Sequence, residues 1–573
     1  MIPAGALLAG AALTACSGAA GNRGTVGSSG TVASSGTVES SGTSSSGTAT
    51  PGSGGTGMAS GSASGASSTA GSTMLLPARI RRLTNAEFDA STHAILGTNQ
   101  KYASTLPPDV RQGSFNAGGF PAAGFTRNAA AVFDAVSTPQ LQQAAINLGQ
   151  EAAGQNLATV APCPTGSSSM TCAASFIATL GAKAYRRPLT ADEQSGLLTV
   201  YLTGSTNRTY AGGVSLTVET ILQSAGFVYI TELGGTPTNG VAELTSYEVA
   251  SSLSYFITGG PPDAQLMQAA AADALQDPKA VAAQATRLLG QSSGQLATFV
   301  EQWLGVDSPP GTSTGAKASG SDMAGETTAF IEDVMANGDG SLNALLTNAN
   351  SFVNGSLASL YGLQTPSGTG FVKTANPQRI GILNQASFLS TYAHSSFSAP
   401  VKRGHLVRTQ MLCDAIPPPS PSLNVNVSPP LPTAAETTRQ ADIDHMTSAA
   451  CSGCHLLMDP IGWGFENFDG NGAYRTTEAG MMIDPSGTFN LAADLTGPFT
   501  NDATLIEKLA GSATVQQCYM KKFADFAAAE TDPDIEAVFL DFWQSQPASV
   551  QTSLPQLVAA FVQSDLFLKR AVQ

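Results

Sequence analysis

A mostly α-helical, multi-domain body behind a long disordered N-terminal tether is the fold class this sequence predicts. Three observations carry that expectation. Ala-rich segments with apolar residues at helical spacing recur from about residue 84 onward, many of them opening on Ser, Thr or Asp. Alternating strand patterns are few. Residues 17–73 are almost wholly Gly, Ser, Thr and Ala, with the crude repeat GTVGSS, GTVASS, GTVESS. Such a segment has too little apolar surface to offset its ordering entropy and reads as a flexible tether.

The elements follow in order. Thr84 with Glu87 three residues on forms a capping box that opens the first helix. Residues 103–130, with Pro107, Pro108 and several glycines, read as loop. SFIATLGAKAYRRPLTADEQSGLLTVYL gives two helices split at Pro188, the second opening on a Thr190–Glu193 capping box. GVSLTVETILQSAGFVYI is apolar-periodic, and a third capping box, Thr245 with Glu248, starts the next helix. The stretches PDAQLMQAAAADALQ, DPKAVAAQATRLLG, LATFVEQWLG, ETTAFIEDVMANG and SLNALLTNANSFVN continue the helical pattern. AIPPPSPSLNVNVSPPLPT must be extended and marks a boundary near 415–436. The segment through CSGCH reads as helix. DPIGWGFENFDGNGAYRTTEAGMMIDPSGTFN reads mainly as loop and turn, after which helices resume at TNDATLIEKLAG. The division expected is a signal (1–16), a linker (17–73), N-terminal helical modules (74–240), a central helical domain (241–378), a module containing CSGCH (379–495) and a C-terminal helical module (496–573).

MIPAGALLAGAALTAC resembles a bacterial lipoprotein signal: an apolar run, small residues, then Cys16 as the residue to be lipidated. It departs from that pattern in having no Lys or Arg before Cys16. The expectation is an exported protein anchored to a membrane of the cell envelope through lipid on Cys16. Lys and Arg number 26 against 41 Asp and Glu, a net charge of −15. That balance should repel nucleic acid and anionic lipid and argues against both as partners. No later segment has the apolar length of a membrane span.

The cysteines are Cys16, Cys163, Cys172, Cys413, Cys451, Cys454 and Cys518. With Cys16 lipidated and Cys451 and Cys454 on a cofactor, four remain, which an oxidising compartment can pair in three ways. Cys163 and Cys172 flank the turn-rich PTGSSSMT and are the expected first bridge; Cys413 and Cys518 then pair by elimination.

On a helix, Cys451, Cys454 and His455 fall at i, i+3 and i+4 and face one way. Covalent haem attachment needs that: two thiols for the vinyl groups and an imidazole for the iron. C-x-x-C-H therefore reads as c-type haem attachment, with haem c as the cofactor. A zinc set of Cys451, Cys454, His455 and His445 competes, but no second C-x-x-C is present. A redox dithiol lacks a thioredoxin-like context. For the sixth iron ligand the candidates are Met481 and Met482 in a downstream loop, and His445. Met458 reads as core packing. His394 and His405 read as surface or capping histidines. Asp459, Asp469 and Asp484 recur beside Gly or Pro and read as turns. Arg186 and Arg187 read as ion-pair partners at a helix end.

Five stretches carry a family resemblance: RRLTNAEFDAST (81–92), AKAYRRPLTADEQ (182–194), LTSYEVASSLSYFI (244–257), RIGILNQASFLSTYAHSSFSAPVKRGHLVRTQMLC (379–413) and CSGCHLLMDPIGWGFENFDGNGAYR (451–475). On them the chain resembles the exported multi-module proteins of planctomycetes and myxobacteria, built from consecutive domains of unknown function. The resemblance implies an exported protein whose module around residues 379–485 is cytochrome-c-like. The function expected first is electron transfer with an unidentified redox partner. Two alternatives stand beside it: a haem-dependent oxidoreductase whose helical modules hold a substrate, and a non-enzymatic surface scaffold with a structural Cys/His site.

Overall fold

The structure, a computed structural model, describes residues 75–112, 123–206, 209–313, 315, 317–395, 397–416 and 432–572. Cys16, the expected signal and tether, and most of the Pro-rich stretch after residue 416 lie outside the described residues. About 57% of the chain is helical, so the protein is mostly α. All three anticipated capping boxes form, at Thr84/Glu87, Thr190/Glu193 and Thr245/Glu248. Each satisfies two backbone N–H groups reciprocally at its helix start.

Among the described residues, strands form short two-stranded antiparallel ladders. Arg79–Arg82 pairs with Tyr229–Glu232, and Lys569–Ala571 pairs with Val241–Glu243. The first ladder corrects the helical reading at Tyr229 and Ile230, while Ala225–Val228 before them is helix as expected. Tyr229, Ile230 and Thr231 are β-favouring, and the register sets Arg79 opposite Glu232, with which it forms an ion pair at 2.7 Å. Arg570, buried on the last strand, binds the same carboxylate at 2.5 Å. Backbone bonds from Ala78 N–H to the Ala571 carbonyl (3.0 Å) and from Ala571 N–H to the Leu76 carbonyl (2.8 Å) join the first and last described strands' neighbourhoods.

The described residues belong to one compact unit with two large apolar cores. One gathers Phe88, Leu148, Phe176, Val218 and Phe227 between the first helix and the ladder at residue 229. The other takes Phe125 and residues between Leu244 and Phe567, among them Trp303, Phe388, Ile461, Phe465 and Phe523, into a single cluster. Its aromatic rings meet largely edge-to-face, as in Phe299–Phe523 at 5.2 Å and Phe256–Phe561 at 5.8 Å. Residues 241–378, 379–495 and 496–573 therefore share one core.

Both disulfides pair as the cysteine count suggested: Cys163–Cys172 across a Cα separation of 5.2 Å and Cys413–Cys518 across 5.6 Å. No described helix is long and apolar enough to cross a membrane. The bridges are compatible with an exported protein.

Buried arginines wire the loops. Arg187 pairs with Glu193 at the helix end, as expected. Arg186 does not pair with a carboxylate: it donates to the carbonyls of Ala184, Gly226, Phe227 and Tyr229 and lies over the Tyr255 ring. Arg403 also donates to carbonyls, those of Phe465, Phe468, Leu389 and Asp469, and pairs with Glu466 at 3.6 Å. A guanidinium carries five donors in a rigid fork, so one side chain satisfies carbonyls from several loops at once.

Candidate functional site

CSGCH lies in the helix Ala449–Gly462, which runs through the supposed break at Asp459–Pro460. Pro460 has no N–H to give the Leu456 carbonyl four residues earlier. Asn490 Nδ2 donates to that carbonyl instead, at 2.8 Å. Arg408 adds a bond from Nε to the next carbonyl, Leu457, at 3.0 Å. The same guanidinium holds Asp414 and the carbonyls of Asn490 and Leu491, so it ties the Leu491 turn to the helix.

The helix packs tightly on Pro400–Leu406 through two glycines. A Cβ on Gly404 would overlap the Met458 carbonyl oxygen, and one on Gly462 would overlap the Pro400 carbonyl oxygen. His405, on the same short helix, is buried, which corrects its reading as a surface histidine. Burial holds its imidazole down at about 4. His394 is half-buried against Phe397, ring centroids 4.5 Å apart, and is also held down to about 4, chiefly by burial. Neither histidine is on the CSGCH helix. Met458 is buried, in keeping with core packing.

Cys451 and Cys454 are free thiols, each half-buried. His455 is partly exposed, and its Nδ1 lies 2.8 Å from Asp459 Oδ2, one turn further along the same helix. Asp459 is fully enclosed and is not in a turn, a second correction: the surrounding contacts carry the helix past Pro460. Asp469 and Asp484 do cap turns, accepting from Asn471 N and Ala473 N, and from Ser486 N. Behind Asp459 stand two more buried acids, Asp442 and Glu466. Burial raises the Asp442 carboxyl well above the usual range, and the charges of Asp459 and Glu466 add to that. Trp463 Nε1 donates to Asp442 at 3.3 Å, and Arg439 covers the Trp463 ring at 4.4 Å. Burial also raises Asp459, against the opposing pull of His455.

The candidate sixth ligands are placed differently from one another. His445, near the end of helix Thr438–Met446, meets His455 with ring centroids 4.7 Å apart, edge to face. Met481 and Met482 form one strand of a hairpin with Thr477–Glu478. Glu478 of that hairpin accepts from Thr438 N and Oγ1, at the opposite end of the His445 helix. About 10 Å of helix separates that end from His445. Both methionines are exposed, Met482 by 75%. Among the described residues no three His, Cys, Asp or Glu side chains converge to hold a metal ion.

Three family models match this chain in sequence. Residues 172–232 match PSD5, protein of unknown function (DUF1595), residues 244–363 match PSD4, protein of unknown function (DUF1592), and residues 379–478 match PSCyt3, protein of unknown function (DUF1588). The chain carries three consecutive domains of unknown function. The CSGCH helix, His445 and Asp459 all fall inside the DUF1588 match. No curated protein and no solved structure matches the chain.

Two parts of the site were missed in sequence. Asp459 had a signal, its i+4 spacing from His455, but DPIG imitates a turn. Arg403 and Arg408 had none, because their carbonyl partners lie far along the chain.

Proposed function

We propose that this is an exported, membrane-anchored c-type haem protein that transfers electrons. The observation that carries the reading is one helix face. Cys451 and Cys454 are unpaired while the other four described cysteines are bridged, and His455 stands beside them with Nδ1 engaged and Nε2 left to donate. That donor set fits covalent haem: Cys451 and Cys454 would form the thioethers and His455 would be the proximal ligand. Haem c supplies a reversible one-electron change at iron. Around it the chain offers apolar cover, with Leu456 and Leu491 exposed beside the motif. Leu491 is 84% exposed and has a left-handed backbone (φ 51), held out by the Arg408 bonds. The name PSCyt3, given to the family model over residues 379–478, agrees with a cytochrome-related module. Lipid on Cys16 would hold the body to the envelope membrane.

The second reading, a haem-dependent oxidoreductase acting on an unknown substrate, is favoured by one placement. Met481 and Met482 lie on a hairpin whose Glu478 is bonded to Thr438, at the far end of the helix that carries His445. An iron with a displaceable sixth position admits small ligands or peroxide.

The test is a pyridine haemochrome spectrum, with peptide mass, on the full chain made in a host with haem-attachment machinery. The expected result is a c-type spectrum and porphyrin mass on the peptide containing residues 451–455. Colourless, correctly exported protein refutes the proposal. A reduced spectrum that shifts with carbon monoxide selects the oxidoreductase; an unmoved one selects the carrier.

A further inference from the structure

We propose that Asp459 is the positioning residue of this site: its enclosed carboxylate fixes the His455 ring through Nδ1, presents Nε2 as an electron-rich donor, and lowers the potential of the iron it binds. The inference rests on the haem reading and deepens it.

The geometry supplies the first argument. Asp459 Oδ2 lies 2.8 Å from His455 Nδ1, one helical turn away, and the aspartate is fully enclosed while the histidine is partly exposed. The acid is thus the fixed partner and the imidazole the group presented outward. A carboxylate can only accept at Nδ1, so Nδ1 carries the proton and Nε2 keeps its lone pair.

The second argument is the other oxygen. Asp459 Oδ1 is buried with no hydrogen-bond partner. A buried, half-satisfied carboxylate is costly, and an apolar side chain would pack there at less expense. The arginines of this module pair with other acids: Arg403 and Arg475 with Glu466, Arg408 with Asp414, Arg439 with Asp484. His455 is the partner toward which the Asp459 carboxylate is directed.

The third argument is local rigidity. Asn490 and Arg408 take the Leu456 and Leu457 carbonyls, so the turn joining His455 to Asp459 stays helical despite Pro460. Hydrogen bonding a ligand imidazole to a carboxylate raises its basicity, which favours ferric over ferrous iron.

The experiment is a spectroelectrochemical titration of haem-loaded full-length protein with Asp459→Asn and, as control, the turn residue Asp484→Asn. Asn keeps the shape and an acceptor for Nδ1–H but removes the charge. Expected are full covalent loading in both variants, a higher midpoint potential for D459N and no shift for D484N. A loaded D459N that titrates with wild type overturns the role of Asp459 and leaves the haem reading standing. Wild type without porphyrin overturns both. Should D459N fail to accumulate, nitrogen NMR of His455 in haem-free wild type decides: the Nδ1–H tautomer supports the inference, the Nε2–H tautomer overturns it.

Discussion

Glu326 shows at the scale of one residue how burial writes a pH dependence into this protein. Its side chain is fully enclosed, and its carboxyl accepts from Tyr361 Oη, which itself accepts from Ala386 N–H at 3.0 Å. Burial pushes the Glu326 carboxyl up to about 7, with the hydrogen bond from Tyr361 and the nearby Arg379 pulling the other way. A folded-state value above the unfolded one means the unfolded chain releases the proton first as pH rises. The stability from protonated Glu326 is therefore complete below about 4.5 and lost as pH climbs to 7. Glu326→Gln removes that titration. Chemical denaturation at pH 4.5 and 7.5 should show the stability change between the two shrinking by about 3 kcal/mol in the variant. His394 and His405 act from the other side. Burial holds both at about 4, so the stability they contribute is present above their ordinary 6.5 and is lost as pH falls to 4.

At the scale of elements, the contact between Pro400–Leu406 and Ala449–Gly462 is made by backbone rather than side chains. Gly404 and Gly462 each press on a carbonyl of the other helix. Gly404→Ala must separate the helices, at a cost of roughly 3 kcal/mol, and should reduce covalent haem loading along with thermal stability. Gly453, inside CSGCH, is the opposite case: a Cβ there meets nothing within 4 Å. Gly453→Ala relieves the entropy cost of glycine in a helix, so thermal unfolding should show a gain of up to about 1 kcal/mol. The two variants have the same chemistry, so the difference in sign isolates the helix contact.

For the whole molecule, the Cys413–Cys518 bridge spans a sequence separation of 105 and encloses the entire CSGCH segment. It sits beside packed aromatics, with Tyr519 against Trp303 at 4.9 Å. Closing a loop of that length stabilises by about 4.7 kcal/mol in the chain-entropy account. The Cys163–Cys172 bridge, with a separation of 9, falls under about 3 kcal/mol. Denaturant midpoints of the two double Cys→Ser variants should rank accordingly, the long-loop variant being the less stable. Because Ile461 and Phe465 share the core that holds Val515 and Tyr519 beside the long bridge, loss of that bridge should also lower haem loading, whereas loss of the short one should not.

Local chemistry was readable directly from the chain. The capping boxes at Thr84, Thr190 and Thr245 need only a hydroxyl and an acid three residues apart, and the CSGCH face follows from helical spacing alone. The disulfides followed from an even count and one turn-rich loop. Long-range contacts were not readable. The strand at Tyr229–Glu232 exists because Arg79–Arg82 pairs with it. The helix through Pro460 survives because Asn490 replaces a missing backbone donor. Asp459 and His405 are buried on two helices that glycines bring into backbone contact, a closeness no local pattern announces. Sequence thus determined which atoms can bond within a turn of themselves; tertiary structure decided which backbone carbonyls and carboxylates are enclosed, since burial depends on partners hundreds of residues away.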